Sequence, residues 1–318
     1  MKRFKNILIV CDEDGNVDDA LDRGLWLAQA NGARVTLFDV VETGPKPLKY
    51  AFAGLSETRA AEVETQVFDH YQARLSELTK PFEEAGVPVS IAVGAGVGFI
   101  EVIRTVLRDA HDIVIKGARQ SPDTGRFTAG IDLHLLRKCP CPVWLLKADQ
   151  PKRTQRILAA VDPDPIDPTR DTLNRVTMEL ATSLAERDGA QLHVVNAWRL
   201  AEESTLRSGR FAMADDEVNA ILSAERESAG ARLGAFLERF PNIPTSTHVV
   251  LEKGYAGEVI PDYATREGID TVVMGTVGRT GIRGLFIGNT AETILGAVQC
   301  SVMTIKPPNF LTPVALDD

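Results

Sequence analysis

The sequence predicts an α/β protein of two tandem domains, each built on a five-stranded parallel sheet flanked by helices. Three observations carry this. The 318-residue chain repeats its own plan at an offset of about 150 residues, an ordinary size for one domain. Each copy alternates short apolar runs with segments of helical period. The apolar runs are continuous, as parallel strands covered on both faces require.

The first copy opens with KNILIVCDED (5–14) and the second with RILAAVDPDP (156–165). Each is an apolar run with β-branched residues that ends at Asp12 or Asp162, and both read as a buried first strand. A helix follows in each copy, with Ala20, Leu21, Leu25, Leu27 and Ala28 on its apolar side in one and Leu173, Val176, Leu180, Leu184 and Ala185 in the other. Gly32 and Gly189 stand where a left-handed C-terminal stop belongs. The second strands are VTLFDVVE from Val35 and LHVVNAW from Leu192, each followed by a variable loop and a long charged helix, roughly 56–85 and 214–239. Charges at helical spacing there fit a solvated outer face.

The third strands, VPVSIAVG and STHVVLEKG, lead into the helices FIEVIRTVLRDA and GEVIPDYATREG. The fourth strands are DIVIKG (112–117) and DTVVMG (270–275), and CPVWLLK (141–147) and CSVMTIK (300–306) close the two copies. A charged linker with one proline lies around 148–154, so the domains are expected at 1–148 and 155–307, with a tail at 308–318. Right-handed crossovers make each sheet open and parallel. A ligand then belongs outside the carboxyl ends of the strands where their order reverses, which in the second domain means Asp162 and Gly275.

The formal net charge of −9 disfavours a nucleic-acid partner. The start, MKRFKNILIVCDED, is too soon broken by acids to be a secretory signal, and no apolar run reaches membrane-spanning length. Four scattered cysteines, Cys11, Cys139, Cys141 and Cys300, suit a reducing compartment. A cytoplasmic protein without membrane insertion is the expectation.

The stretch MGTVGRTGIRGLFIGNT (274–290) sets Gly275, Gly278 and Gly288 between a strand and a helix. Glycines there allow positive φ and close approach of backbone N–H groups to an anion, and Asn289 and Thr290 add donors at the helix start. In the first copy the chain after Gly117 reads ARQSPDTGRFTAG, with Gln120 at the second glycine's place and no Gly-Asn or Gly-Ser pair at the matching distance. Its phosphate loop is degenerate, which leaves that domain as a structural partner or the holder of a different ligand.

With the repeat, the strand-end aspartate and the G-x2-G-x9-G loop, the chain resembles tandem members of the universal stress protein family, most closely its E type. The residues that carry the likeness are GTVGRTG (275–281), FIGNTAE (286–292), LLRKCPCPVW (135–144) and TPVALDD (312–318). The resemblance implies two Rossmann-like domains of the adenine nucleotide alpha hydrolase-like kind, a stress-response role, and ATP binding in one subset, with magnesium accompanying the nucleotide. It also implies pairing through the last strands, here an intramolecular pseudo-dimer of the two domains that could dimerise again. Carried over residue by residue, Val161 and Asp162 would face adenine and ribose, Val194 would line the adenine pocket, and Met274 would flank the base. Gly275, Gly278, Gly288, Asn289 and Thr290 would hold phosphates. The chain departs from the ATP-binding pattern at Asn289, where Ser or Thr is usual, and at Ala160.

Single residues have plainer readings beside these. Asp12 and Asp162 can bind a ribose hydroxyl or cap the next helix, and capping is favoured for Asp12. Arg279 and Arg283 flank the glycine loop and can neutralise phosphate. Cys139-Pro140-Cys141 lacks the C-x-x-C spacing and would need further ligands such as His134 to hold zinc, so thiols are expected there. His193, inside a strand, reads as a satisfied core residue. No nucleophile elbow, Walker lysine or H-E-x-x-H motif is present. Binding of an adenine nucleotide or another small ligand is therefore expected over dedicated catalysis, with slow ATP hydrolysis or a vestigial site as the alternatives.

Overall fold

The computed structural model describes residues 3–12, 15–43, 54, 56–119, 130–148, 151, 153–208, 212–276, 287–308 and 310–316. The first domain runs β1 (Asn6–Val10), α1 (Val17–Asn31), β2 (Arg34–Glu42), α2 (Glu57–Leu78), α3 (Lys80–Glu84), β3 (Val89–Gly96), α4 (Gly98–Asp109), β4 (Ile113–Gly117), α5 (Ile131–Lys138) and β5 (Val143–Leu146). The second runs β6 (Arg156–Ala160), α6 (Pro168–Asp188), β7 (Gln191–Trp198), α7 (Glu203–Ser208), α8 (Asp215–Leu237), β8 (His248–Lys253), α9 (Ala256–Arg266), β9 (Thr271–Gly275), α10 (Asn289–Ala297) and β10 (Ser301–Ile305).

All ten strands form one sheet, ordered β3-β2-β1-β4-β5-β10-β9-β6-β7-β8. Each half has the doubly wound order, which reverses between β1 and β4 and between β6 and β9. Pairing within each half is parallel, and the halves meet at the antiparallel pair β5 and β10, in register Leu145 with Val302, Trp144 with Met303 and Val143 with Thr304. The expected pairing of last strands is thus made inside one chain.

Side-chain alternation sends Ile7, Ile9, Ile113, Ile115, Ile157 and Met303 to one face of the sheet, under α1, α2, α6 and α8. Leu8, Val10, Val114, Leu158 and Val302 go to the other, under α4, α5, α9 and α10. Gly32 and Gly189 end α1 and α6 in the left-handed region, at φ 58° and 68°, as the sequence predicts. Asp167 caps α6 through the amides of Thr169 and Arg170, with Pro168 in the first turn.

Two elements differ from expectation. The helix predicted over 56–85 breaks at Thr79 into α2 and α3. Pro81 has no N–H to donate to the carbonyl four residues back, so the α-helical ladder cannot continue through it. The variable stretch after β7 contains a short helix, α7, held by Lys253 on Glu203 at 2.7 Å and by Arg207 on Asp215 at 2.8 Å.

The two domains also join through buried polar contacts. Arg23 on α1 donates to Asp188 on α6 at 2.7 Å and to Thr154 Oγ1 at 2.6 Å, and its guanidinium lies over Trp26 and Trp144. Among the described residues, no helix is long and apolar enough to cross a membrane.

Candidate functional site

In the second domain the carboxyl ends of β6 and β9 diverge, and the chain after β6 is fixed by α6. Asn174, on the buried side of that helix, accepts from Asp162 N at 3.0 Å and donates to Asp162 O at 2.8 Å. Val161 is buried, donates to Val195 O at 3.1 Å and accepts from Asn196 Nδ2 at 2.9 Å. With its backbone held this way, Asp162 presents a carboxylate that is 58% exposed and paired with Arg170, which also donates to Asp164 at 2.6 Å.

Gly275 ends β9 against α6: a Cβ there would fall 2.6 Å from Leu173 Cγ. This glycine is required by helix-on-strand packing whatever else it does. The next residue, Thr276, is fully buried, and its carbonyl accepts from Gly288 N at 2.8 Å. That bond closes the two ends of the glycine-rich loop against each other. Gly288 then begins α10 in extended conformation with no side-chain cap, leaving Asn289 and Thr290 in the first turn, where backbone N–H groups lack helical partners. Thr290 Oγ1 meets the Tyr255 hydroxyl at 3.3 Å, and Arg199, just beyond β7, lies over the Tyr255 ring.

The structure therefore brings Val161, Asp162, Met274, Gly275, Gly288, Asn289 and Thr290 to one end of the sheet. Met274 is buried on the face of α9 and α10. Val194 stands apart from these: it is fully buried in the opposite core, in register with Ala159 and Val249. β7 runs on to Trp198, so its carboxyl end is formed by Ala197 and Trp198. Gly278, Arg279 and Arg283 lie outside the described residues. Arg170, Asn174, Asn196, Tyr255 and Arg199 were not among the expected site residues. The available signal was an asparagine on the apolar side of α6 and another inside the apolar run of β7.

The first domain fills the same place with its own side chains. Lys116, which takes the position of Met274, is wholly buried and lies 3.0 Å from Asp12 Oδ2 and 2.9 Å from Asp132 Oδ1. Arg119 adds a second cation 3.1 Å from Asp12, and its backbone N–H donates to Asp132 at 2.8 Å. Asp12 is accordingly a partner of these cations, and the cap expected of it is made by Asn16, which accepts from Asp19 N. The chain before α1 presses on β4 as well, since a Cβ on Gly117 would fall 2.6 Å from the Asn16 carbonyl carbon. Beside this cluster Arg74 joins Asp39 and donates to Cys11 O. Burial raises the Asp39 carboxyl to about 6, against the opposing pull of the Val40 amide and Arg74.

Other residues singled out from sequence have structural partners. His193 bonds the Tyr263 hydroxyl at 2.8 Å and stacks on His248, and burial lowers its pKa. His134 stacks on Phe99. Among the described residues no group of three or more His, Cys, Asp or Glu is arranged to hold a metal.

Comparison with known proteins agrees with this architecture. The profile of the universal stress protein family matches residues 3–147 and 153–306. The chain is 32% identical to universal stress protein E of Salmonella typhi, over all of this chain and 99% of that protein, and equally so to that of Escherichia coli K12. In fold it is similar to a functionally unknown protein of Pseudomonas aeruginosa PAO1, with a TM-score of 0.71 at 24% identity over 97% of this chain and 94% of the other. A universal stress protein of Archaeoglobus fulgidus gives 0.61 at 18% identity, over 95% and 98%.

Proposed function

We propose, since this chain belongs to the universal stress protein family, that it is a stress-response protein whose second domain binds an adenine nucleotide and whose first domain serves as a structural partner. The observation that carries this reading is the contrast between two equivalent strand ends. One is filled by Lys116 between Asp12 and Asp132. The other has the glycine-rich loop closed at its base by Gly288 on Thr276, an uncapped α10, and the exposed carboxylate of Asp162.

The residues fit such a ligand in kind. Asp162 would accept from ribose hydroxyls, exchanging its bond to Arg170 for them. The first-turn amides of α10, with Asn289 and Thr290, would receive phosphate oxygens, and Gly278 and Arg279 would complete the cradle. Val161 would adjoin the base at the end of β6, with Met274 buried on the other face of the sheet at the end of β9. ATP with magnesium is the ligand proposed, and signalling through shape and partner contacts requires no fast chemistry.

Mass spectrometry of small molecules released from freshly purified protein, together with ATP titration in the presence and absence of magnesium, tests this. Wild type is expected to bind ATP, and Gly288→Val to weaken binding about tenfold or more, roughly 1.4 kcal/mol or above. Absence of any adenine nucleotide and of ATP affinity in the wild type would refute the reading. Hydrolysis is a second reading, supported by the same loop; it requires ADP release that falls with Gly278→Val or Gly288→Val.

A further inference from the structure

The Cys139-Pro140-Cys141 motif has no part in the site above. Cys139 closes α5, donating its backbone N–H to Leu135 O at 2.9 Å, and is wholly buried, whereas Cys141 is partly exposed. Their sulfurs are 3.6 Å apart, in contact, with a hydrogen bond between the thiols. The other two cysteines are singly placed: Cys11 and Cys300 are buried, and burial pushes each thiol up to about 12. In the internal repeat Cys141 corresponds to Cys300, and Cys139 to Val298, which closes α10 with the same bond, to Ile294 O, at 2.9 Å. Valine fills this place in the second domain, so packing alone does not call for a sulfur here.

We infer that Cys139 and Cys141 form a reversible dithiol–disulfide couple oxidised by small peroxides. Cys141, the less buried residue of the two, attacks a peroxide oxygen; for hydrogen peroxide the O–O bond breaks, Cys141 becomes a sulfenic acid and one water leaves. Cys139 then attacks that sulfur, the S–S bond forms, and the sulfenic oxygen leaves as a second water. The two thiols together give up two electrons and two protons, and the peroxide takes both.

Two residues of chain span at most about 7 Å, at the upper end of the Cα separation of about 4.4–6.8 Å that a disulfide accepts. Bridging across a single proline is therefore tight, and strained disulfides are the easily reduced ones. In the reduced state the mutual hydrogen bond, followed by burial, raises the Cys141 thiol above its usual range, so its oxidation is slow at neutral pH and calls for sustained exposure to peroxide. The couple also borders the second domain. Leu136 O, in the last turn of α5, accepts from Lys306 Nζ at 2.6 Å, and the same ammonium donates to Thr276 Oγ1 at 2.7 Å, the residue that closes the glycine-rich loop.

Full-length protein, reduced and then treated with hydrogen peroxide, quenched, alkylated and digested with trypsin, provides the test. The peptide from Cys139 to Lys147 is expected to lose two hydrogens, to escape alkylation, and to recover both thiols with dithiothreitol, while Cys11 and Cys300 stay alkylatable after unfolding. Cys139→Val, which copies the second domain's own solution, should fold and show no such loss. A wild-type peptide that remains a dithiol, or that gains oxygen on Cys141 without losing the two hydrogens, would overturn the inference.

Discussion

Lys306 sends a buried ammonium group to two neutral oxygens, Leu136 O and Thr276 Oγ1, with the Phe310 ring 4.9 Å away. Burial lowers its pKa to about 7. Between that value and the ordinary lysine range the unfolded chain holds a proton that the folded one has released, so stability rises as pH climbs from 7 toward 10.5. Chemical denaturation across pH 6–10 is expected to show this rise in wild type and a flatter profile in Lys306→Met. The place of Asp162 at the end of the first strand was legible from sequence because an acid closes the apolar run there. Arg170 and Asn174, which hold it, were not, because along α6 they pass for one outward and one inward helical position. Lys116 was equally silent: its carboxylates come from the end of β1 and the start of α5, and only the closed sheet brings them to β4. Val194 was misjudged by strand length, since β7 extends to Trp198 and moves the strand end beyond it.

At the level of elements, the approach of α6 to β9 decides what stands at position 275. Gly275→Ala puts a methyl group into Leu173, and small-to-large changes in packed contacts typically cost about 1–3 kcal/mol. Adding Leu173→Ala is expected to recover part of that loss, giving a favourable coupling in a double-mutant cycle read by urea denaturation. Simple addition of the two effects would mean that the contact does not set the residue. The same packing explains which elements could be read in advance. The strands were legible as continuous apolar runs, and α1 and α6 from their apolar faces and glycine stops. The break at Thr79 needed the local effect of Pro81, and α7 carries too few apolar residues to give a period, being held by ion pairs with β8 and α8 instead.

On the scale of the whole molecule, a continuous sheet and, among the described residues, the buried ion pair of Arg23 with Asp188 link the domains. Arg23 and Asp188 have side chains only 9% and 1% exposed, and removing one partner of such a pair typically costs about 3–5 kcal/mol because the other charge is left buried. Asp188→Ala should lower the melting temperature of the entire chain, and calorimetry should show a single transition in wild type. Two resolved transitions, with only one moved by the substitution, would show the domains to be independent. The repeat made the two-domain plan legible, and the family resemblance supplied the edge at which the halves meet. No residue pattern in β5 or β10 specifies antiparallel register, because their apolar runs would suit either direction.

That reversal of direction at the seam has a geometric consequence. With β5 and β10 running oppositely, the carboxyl ends of the two half-sheets point to opposite poles of the molecule, so Asp12 and Asp162 look away from each other. Each pole is therefore composite: the loop-bearing pole of one domain is floored by the amino-terminal side of the other. Cys139 and Cys141 belong to the first domain by sequence, yet they stand at the second domain's pole.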